Sequence, residues 1–107
     1  MQFFQNMYIS EAIASSAEEL IIKIKQNNPT PKVYLITFAS NPQNLLDLIP
    51  SKDLLQEAYP KQELVVIGLA KGKKDAMKLA EHIIGELYEQ TGGFDIRNWL
   101  RQKEETT

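Results

Sequence analysis

The residues with the most evident chemical potential form one basic turn, which runs Gly68-Leu69-Ala70-Lys71-Gly72-Lys73-Lys74-Asp75. The turn follows an apolar strand and precedes the longest predicted helix. In a parallel α/β arrangement ligands gather at the carboxyl ends of strands, and the first turn of a helix offers unpaired N–H groups and the positive end of the helix dipole. The turn is therefore a candidate site for a phosphate or carboxylate, with candidate residues Gly68, Lys71, Gly72, Lys73 and Lys74.

The spacing within this turn differs from that of established phosphate-binding loops. A Walker loop places four residues between its first glycine and its Gly-Lys pair, whereas three residues separate Gly68 from Gly72. Lys74 also stands where a Walker loop needs a hydroxyl residue. Because short basic turns are common, we favour Gly72 as a turn and capping residue among solvated lysines, with the anion site as the second interpretation.

The other candidate catalytic residues lack partners in the sequence. His82 is the only histidine, and the helical pattern places it on a polar face, so we interpret it as a surface residue. Asp47 lies within a strand, where we expect it to blunt an exposed sheet edge. No serine lies in a Gly-x-Ser-x-Gly motif. The chain has no cysteine, which excludes thiolate zinc sites, iron–sulfur clusters and a cysteine nucleophile. We therefore predict no catalytic residue, metal or cofactor.

Composition restricts the class of protein further. The 107 residues are 43% hydrophobic and 24% charged, which is typical of one globular domain, and we assign residues 1–107 to it. The formal net charge of −2 argues against general nucleic-acid binding. The sequence contains no apolar run of the length that a transmembrane helix needs and no start typical of a signal peptide. We expect a cytoplasmic protein without a membrane partner.

Periodicity and turn residues predict seven elements after residues 1–8, which form either a short edge strand or an apolar lid. The predicted helix Ser10–Gln26 begins, or bends, six residues later if Ser16 is its cap. The C-terminal tail from Gln102 is expected to fray. The remaining elements are strands Val33–Ala39 and Leu45–Ile49, helix Ser51–Tyr59, strand Glu63–Ala70, helix Lys73–Gln90 and a short helix capped by Asp95.

This order predicts an α/β fold, with α+β as the alternative, and an αββαβα topology followed by the short C-terminal helix. The first two strands form a hairpin, because a short turn joins them. The first and third strands are apolar on both faces, as central strands are. We expect the crossover helix to make the third strand parallel to the first. The result is a three-stranded mixed sheet of order 2-1-3, with Leu45–Ile49 on one edge.

Four stretches together resemble a set of small bacterial α/β proteins of unknown function. They are Val-Tyr-Leu-Ile-Thr, Asn-Leu-Leu-Asp-Leu-Ile, Val-Ile-Gly-Leu-Ala-Lys-Gly and Thr-Gly-Gly-Phe-Asp-Ile-Arg, and they span most of the chain. The resemblance implies no activity. It implies only that Gly68–Gly72 and Asp95–Arg97 belong together, so that Arg97 either pairs with a carboxylate near the sheet end or reaches an anion at the lysine–glycine turn.

These observations favour a non-catalytic interaction module that associates with a second copy of itself. The edge strand Leu45–Ile49 is apolar enough to pair with its twin, with Leu46 and Leu48 as the interface residues. The alternative is a small-molecule binder for a nucleotide or another anion at Gly68–Lys74, with Arg97 as a further ligand. An enzyme whose site another chain completes is the third hypothesis.

Overall fold

The central strands are apolar on both faces, so the sheet that they form needs cover on each side. A computed structural model of the chain describes residues 1–57 and 59–105. Its strands are β1 Gln2–Ile9, β2 Val33–Phe38, β3 Leu46–Pro50 and β4 Val65–Lys71. Its α-helices are α1 Ala17–Lys25, α2 Gly72–Thr91 and α3 Ile96–Glu105, and 3₁₀ helices span Glu11–Ser16, Ser51–Leu55 and Lys61–Glu63.

The sheet is mixed and has four strands in the order β1-β4-β2-β3. The predicted order of the three strands β3, β2 and β4 is correct. The prediction of three strands is wrong, because residues 2–9 form β1 and pair with β4. Of the two interpretations of the N-terminal segment, the edge strand is confirmed. The coarse expectation of one sheet packed with helices holds.

The predicted parallel pairing of the first and third strands is wrong. β2 and β4 are antiparallel, with Val33 opposite Lys71 and Leu35 opposite Leu69. The crossover after β3 returns the chain to the end of the sheet where β3 began. β4 therefore runs in the direction of β3, which is antiparallel to β2 lying between them. The parallel partner of β4 is β1, with Tyr8 opposite Gly68.

Two hydrophobic cores form on the two faces of this sheet. On one face the first 3₁₀ helix and α1 cover a core that contains Leu35, Val66 and Leu69. On the other face α2 and α3 cover a second core, whose buried residues are Ile36, Phe38, Ile67, Ile83, Leu87, Ile96, Trp99 and Leu100. Burying one such side chain contributes about 1.5–3 kcal/mol, so both layers stabilise the sheet.

The helices differ from the sequence expectations at their ends. The predicted bend near Ser16 is the junction between the first 3₁₀ helix and α1, although the Ser16 hydroxyl donates to the Ile13 carbonyl instead of capping α1. Only 51–55 of the predicted helix 51–59 is helical, as a 3₁₀ helix. Its residue Ala58 lies outside the described residues, as do Thr106 and Thr107 of the predicted fraying tail. Within the tail, α3 continues to Glu105.

None of the helices in the described part of the chain combines the length and apolar character that crossing a bilayer requires.

Close packing of β1 against β4 requires glycine at position 68. Gly68 is buried in β4, and a Cβ built there lies 2.9 Å from the backbone carbonyl oxygen of Tyr8. Both pairings of β4 are irregular near this point: Ile67 is an extra residue in the pairing with β2, and the β1 register shifts between Phe3 and Tyr8. The predicted site residue Gly68 is therefore a packing residue inside the sheet.

We expect Gly68→Ala to destabilise the protein by about 1–3 kcal/mol, because the clash is with backbone that has to move. Urea unfolding at equilibrium measures the change. Gly85→Ala is the matched control: Gly85 is exposed within α2, and a methyl group there meets no atom within 4 Å. Alanine at position 85 should stabilise the helix by about 0.5–1 kcal/mol. Equal effects of the two substitutions would contradict the packing role.

Candidate functional site

One end of the sheet brings together the turn after β4 and the segments that flank β2 and β3. β4 ends at Lys71, opposite the first residue of β2, Val33. The last residue of β3, Pro50, lies opposite Tyr34. Beside them, the Gly72 N–H donates to the Lys32 carbonyl oxygen at 2.6 Å. Both residues of this bond have left-handed backbone, with φ of +66° at Lys32 and +78° at Gly72. The antiparallel register thus places the turn before β2 directly against the turn after β4.

Five lysines stand at this end of the sheet, and we refer to them as the lysine rim. Three belong to the predicted turn, and two come from the segments that precede β2 and follow β3. They are Lys32, Lys52, Lys71, Lys73 and Lys74. Sequence reasoning missed Lys32 and Lys52, because only the antiparallel pairing of β2 with β4 brings their segments to the lysine–glycine turn.

The α2 side of the lysine rim is less favourable for an anion than the sequence suggested. The Lys71 N–H donates to the Ser10 hydroxyl at 3.2 Å, so that backbone donor has a partner. A shallow depression of about 420 Å³ beside the first turns of α2 is lined by Glu11 and Asp75 as well as by Lys78 and His82. Carboxylates repel an anion. The more favourable positive charge lies on the other side, around Lys32 and Lys52.

Arg97 lies far from the lysine–glycine turn. Its Nη2 donates to the Ala39 carbonyl oxygen at 2.6 Å, and its guanidinium stacks 5.1 Å from the centre of the Phe38 ring. Ala39 follows β2 at the end opposite Val33, about 20 Å away at the usual rise per residue of a strand. Of the two alternatives for Arg97, the one in which it reaches the turn is wrong, because the antiparallel direction of β2 places its carboxyl end away from the lysine rim.

Around Arg97 the structure instead forms a polar cavity of about 370 Å³, which Ser40, Asp47, Tyr59 and Glu63 also line. Asp47 accepts hydrogen bonds from the Ser40 N–H at 3.1 Å and the Ser40 hydroxyl at 3.4 Å, which closes the turn between β2 and β3. Burial raises the pKa of Tyr59, and the charges of Asp53 and Asp47 raise it further. Both effects favour the protonated form of the Tyr59 hydroxyl.

Within residues 1–57 and 59–105, no cluster of three or more histidine and carboxylate side chains has the geometry for a metal ion. His82 is exposed on α2, as expected, and its Nε2 lies 2.9 Å from a Glu86 carboxylate oxygen. This pair is a surface contact between neighbouring turns of one helix.

A larger depression, of about 460 Å³, lies over the shifted part of β1 and contains a carboxylate of the chain itself. The Glu104 carboxylate accepts hydrogen bonds from the backbone N–H groups of Gln5 and Asn6 and from the Asn6 side chain, the latter at 3.4 Å. These N–H groups lie where the β1 register shifts, outside the ladder to β4. Glu104 thus satisfies the backbone of one sheet edge and fastens α3 to it.

The opposite edge of the sheet, β3, is regular. Its five residues pair with β2 without a register shift, from Phe38 opposite Leu46 to Tyr34 opposite Pro50. No other strand of the described chain pairs with its outer side. Leu46 and Leu48 are half-buried and pack against the core under α2 and α3, so β3 offers an open backbone edge next to partly exposed apolar surface.

The chain was compared with known protein families, with curated proteins and with solved structures, and none of the three comparisons finds a match.

We expect Glu104→Ala to lower the free energy of unfolding by about 1–3 kcal/mol, because it removes the carboxylate that the Gln5 and Asn6 N–H groups bind. Hydrogen exchange at these two amides should become faster, whereas amides in β2 should change less. Glu105→Ala is the control, since Glu105 is exposed at the end of the same helix. Unchanged exchange at Gln5 and Asn6 would show that Glu104 does not fasten α3 to β1.

Proposed function

We propose that this protein is a non-catalytic interaction module that pairs with a second copy of itself through the outer edge of β3. The difference between the two sheet edges carries the proposal. β1 is shifted in register and covered by Glu104, and both features oppose strand addition. β3 is regular and, within the described chain, pairs on one side only, which is the arrangement that accepts another strand.

Symmetry and charge favour one register for this pairing. A two-fold axis perpendicular to the sheet gives an antiparallel β3–β3 pair in which facing residues share a face. A pair centred on Asp47 sets two carboxylates directly opposite each other, which is destabilising. A pair centred on Leu48 sets Leu48 against its twin and Asp47 against the partner's Ile49. We therefore propose the register centred on Leu48.

The absence of cysteine makes this register testable by a single substitution. Leu48→Cys should form a disulfide-linked dimer under mild oxidation, because facing residues of antiparallel strands lie about 4.5–5.5 Å apart at Cα, within disulfide range. Lys78→Cys is the matched control, since Lys78 is exposed on α2 beside Ser10 and Glu11, which follow β1 at the other edge of the sheet. Non-reducing gels give the yield of each dimer.

Light scattering after size exclusion completes the test of self-association. The unsubstituted chain should elute as a dimer at high concentration, and Leu48→Lys should elute as a monomer, because two lysines would then face each other. Circular dichroism verifies that Leu48→Lys stays folded. A chain that is monomeric at every concentration, or equal cross-linking of Leu48→Cys and Lys78→Cys, would overturn the proposal.

A second candidate function is the binding of a nucleotide or another small anion at the lysine–glycine turn. The observation in its favour is that the register brings Lys32 to Gly72, so that lysines from both sides of the turn are neighbours. Glu11 and Asp75 on the α2 side oppose it. We therefore rank it below self-association.

A thermal-shift screen with phosphate, sulfate and nucleotides tests this second function. A ligand that binds only the folded state at a hundredfold excess over its Kd adds about 2.7 kcal/mol to stability, which raises the Tm measurably. The double variant Lys73→Ala/Lys74→Ala should lose that shift. A screen without any shift, or a shift that survives the double substitution, excludes an anion site at this turn.

A further inference from the structure

A groove of about 450 Å³ opens at the lysine rim, on the side away from α2. The loop before β2, the first residues of β2 and the segment after β3 form its walls. Its apolar lining includes three prolines, Pro29, Pro31 and Pro50, together with Leu55, whose side chain is 42% exposed. An exposed leucine beside a row of prolines forms an apolar patch of the kind that marks binding surfaces.

Hydrogen bonds hold the walls of the groove in place. The Thr30 hydroxyl donates to the Ser51 hydroxyl at 2.7 Å, and the Ser51 hydroxyl donates to the Thr30 carbonyl oxygen at 2.8 Å, both in buried positions. The Lys32 carbonyl oxygen is in turn held by the Gly72 N–H. The prolines also restrict the backbone. Binding therefore costs the protein little conformational entropy, which favours affinity.

The two charged residues that the structure describes in the lining of the groove are both lysines. Lys32 and Lys52 line it and are exposed, and none of the described residues that line it is an aspartate or glutamate. Lys71 lies directly across the β2–β4 pairing from Val33, another lining residue. The whole chain carries a formal charge of −2, so this concentration of lysines is opposite in sign to the molecule as a whole. Such a local field favours an acidic partner.

We propose that this groove binds an acidic peptide segment of another protein, with one or two aliphatic side chains in the proline-lined groove and carboxylates at the lysine rim. The apolar lining distinguishes this ligand from a simple anion, which would leave Leu55 and the prolines uncovered. It also distinguishes the ligand from single-stranded nucleic acid, which binds on several aromatic platforms, whereas Tyr34 is the one aromatic residue among the described lining residues. The inference does not depend on self-association through β3.

Fluorescence polarisation with a defined probe tests this inference. The probe is a short fluorescein-labelled peptide of aspartates and glutamates with two central leucines. It should bind the unsubstituted protein and bind the folded Leu48→Lys variant equally, which separates the groove from self-association. Replacing the two leucines with serines, or the acidic residues with glutamines, should weaken binding about tenfold or more. Inorganic phosphate should compete only weakly.

Charge-matched variants locate the site on the protein. Lys52→Glu should weaken probe binding about tenfold. Lys23→Glu makes the same change of net charge on α1, where Lys23 forms an exposed ion pair with Glu19, and should leave the Kd within about twofold. Lys32→Gly removes a second rim charge while suiting the left-handed backbone at that position, so it should stay folded and bind the probe more weakly.

Four results would overturn the inference. They are no binding of the probe, equal binding of the serine-substituted peptide, equal weakening by Lys23→Glu and Lys52→Glu, and tighter binding of a labelled oligouridylate than of the acidic peptide. Tighter binding of the oligouridylate would identify the lysine rim as a nucleic-acid contact, and equal binding of the serine-substituted peptide would identify it as a non-specific anion contact.

Discussion

β4 lies between β1 and β2, and its backbone hydrogen bonds to one of them in parallel and to the other in antiparallel register. Five of its seven residues are buried, because both faces of the sheet are covered at this strand. The direction of β4 decides which chain ends and turns become neighbours. The lysine rim, the groove beside it and the distant position of Arg97 all follow from this one arrangement.

The same arrangement leaves the two sheet edges with different properties. β1 accommodates extra residues through its register shift, and Glu104 binds the backbone that the shift turns away from β4. β3 is short, and a hydrogen bond from the Ser40 N–H to Asp47 closes the loop of residues 39–45 that precedes it. The chain covers the β1 edge and, among the described residues, leaves the β3 edge open. This difference is the reason for expecting pairing at β3 alone. Asp47 and His82, the polar residues that the sequence analysis weighed as catalytic groups, take part in contacts with Ser40 and Glu86.

Much of this fold can be predicted from the sequence. The apolar segments of β2 and β4, the apolar stripe of α2 and the turns at Pro29, Pro50 and Pro60 define the elements and the order of three strands. Strand direction cannot be predicted in the same way, because Val33–Phe38 is apolar on both faces whether its neighbour is parallel or antiparallel. β1 also escapes a firm prediction, since its register shift between Phe3 and Tyr8 interrupts the alternation that marks a strand. The wrong direction predicted for β4 relative to β2 explains why sequence reasoning missed Lys32 and Lys52. It also explains why one of the two alternatives brought Arg97 to the lysine–glycine turn.

The bond between Glu104 and β1 joins residues 98 and 99 positions apart in the chain. During synthesis β1 leaves the ribosome long before α3. The Glu104 carboxylate becomes available to the N–H groups of Gln5 and Asn6 only after α3 has been made. Under the pairing proposed for β3, a product that ends before Glu104 would have a second edge without the Glu104 cover. A molecule with one adhesive edge stops growing at a closed pair, whereas a molecule with two can continue into an open-ended filament. In that proposal, the last turn of α3 limits how far assembly proceeds.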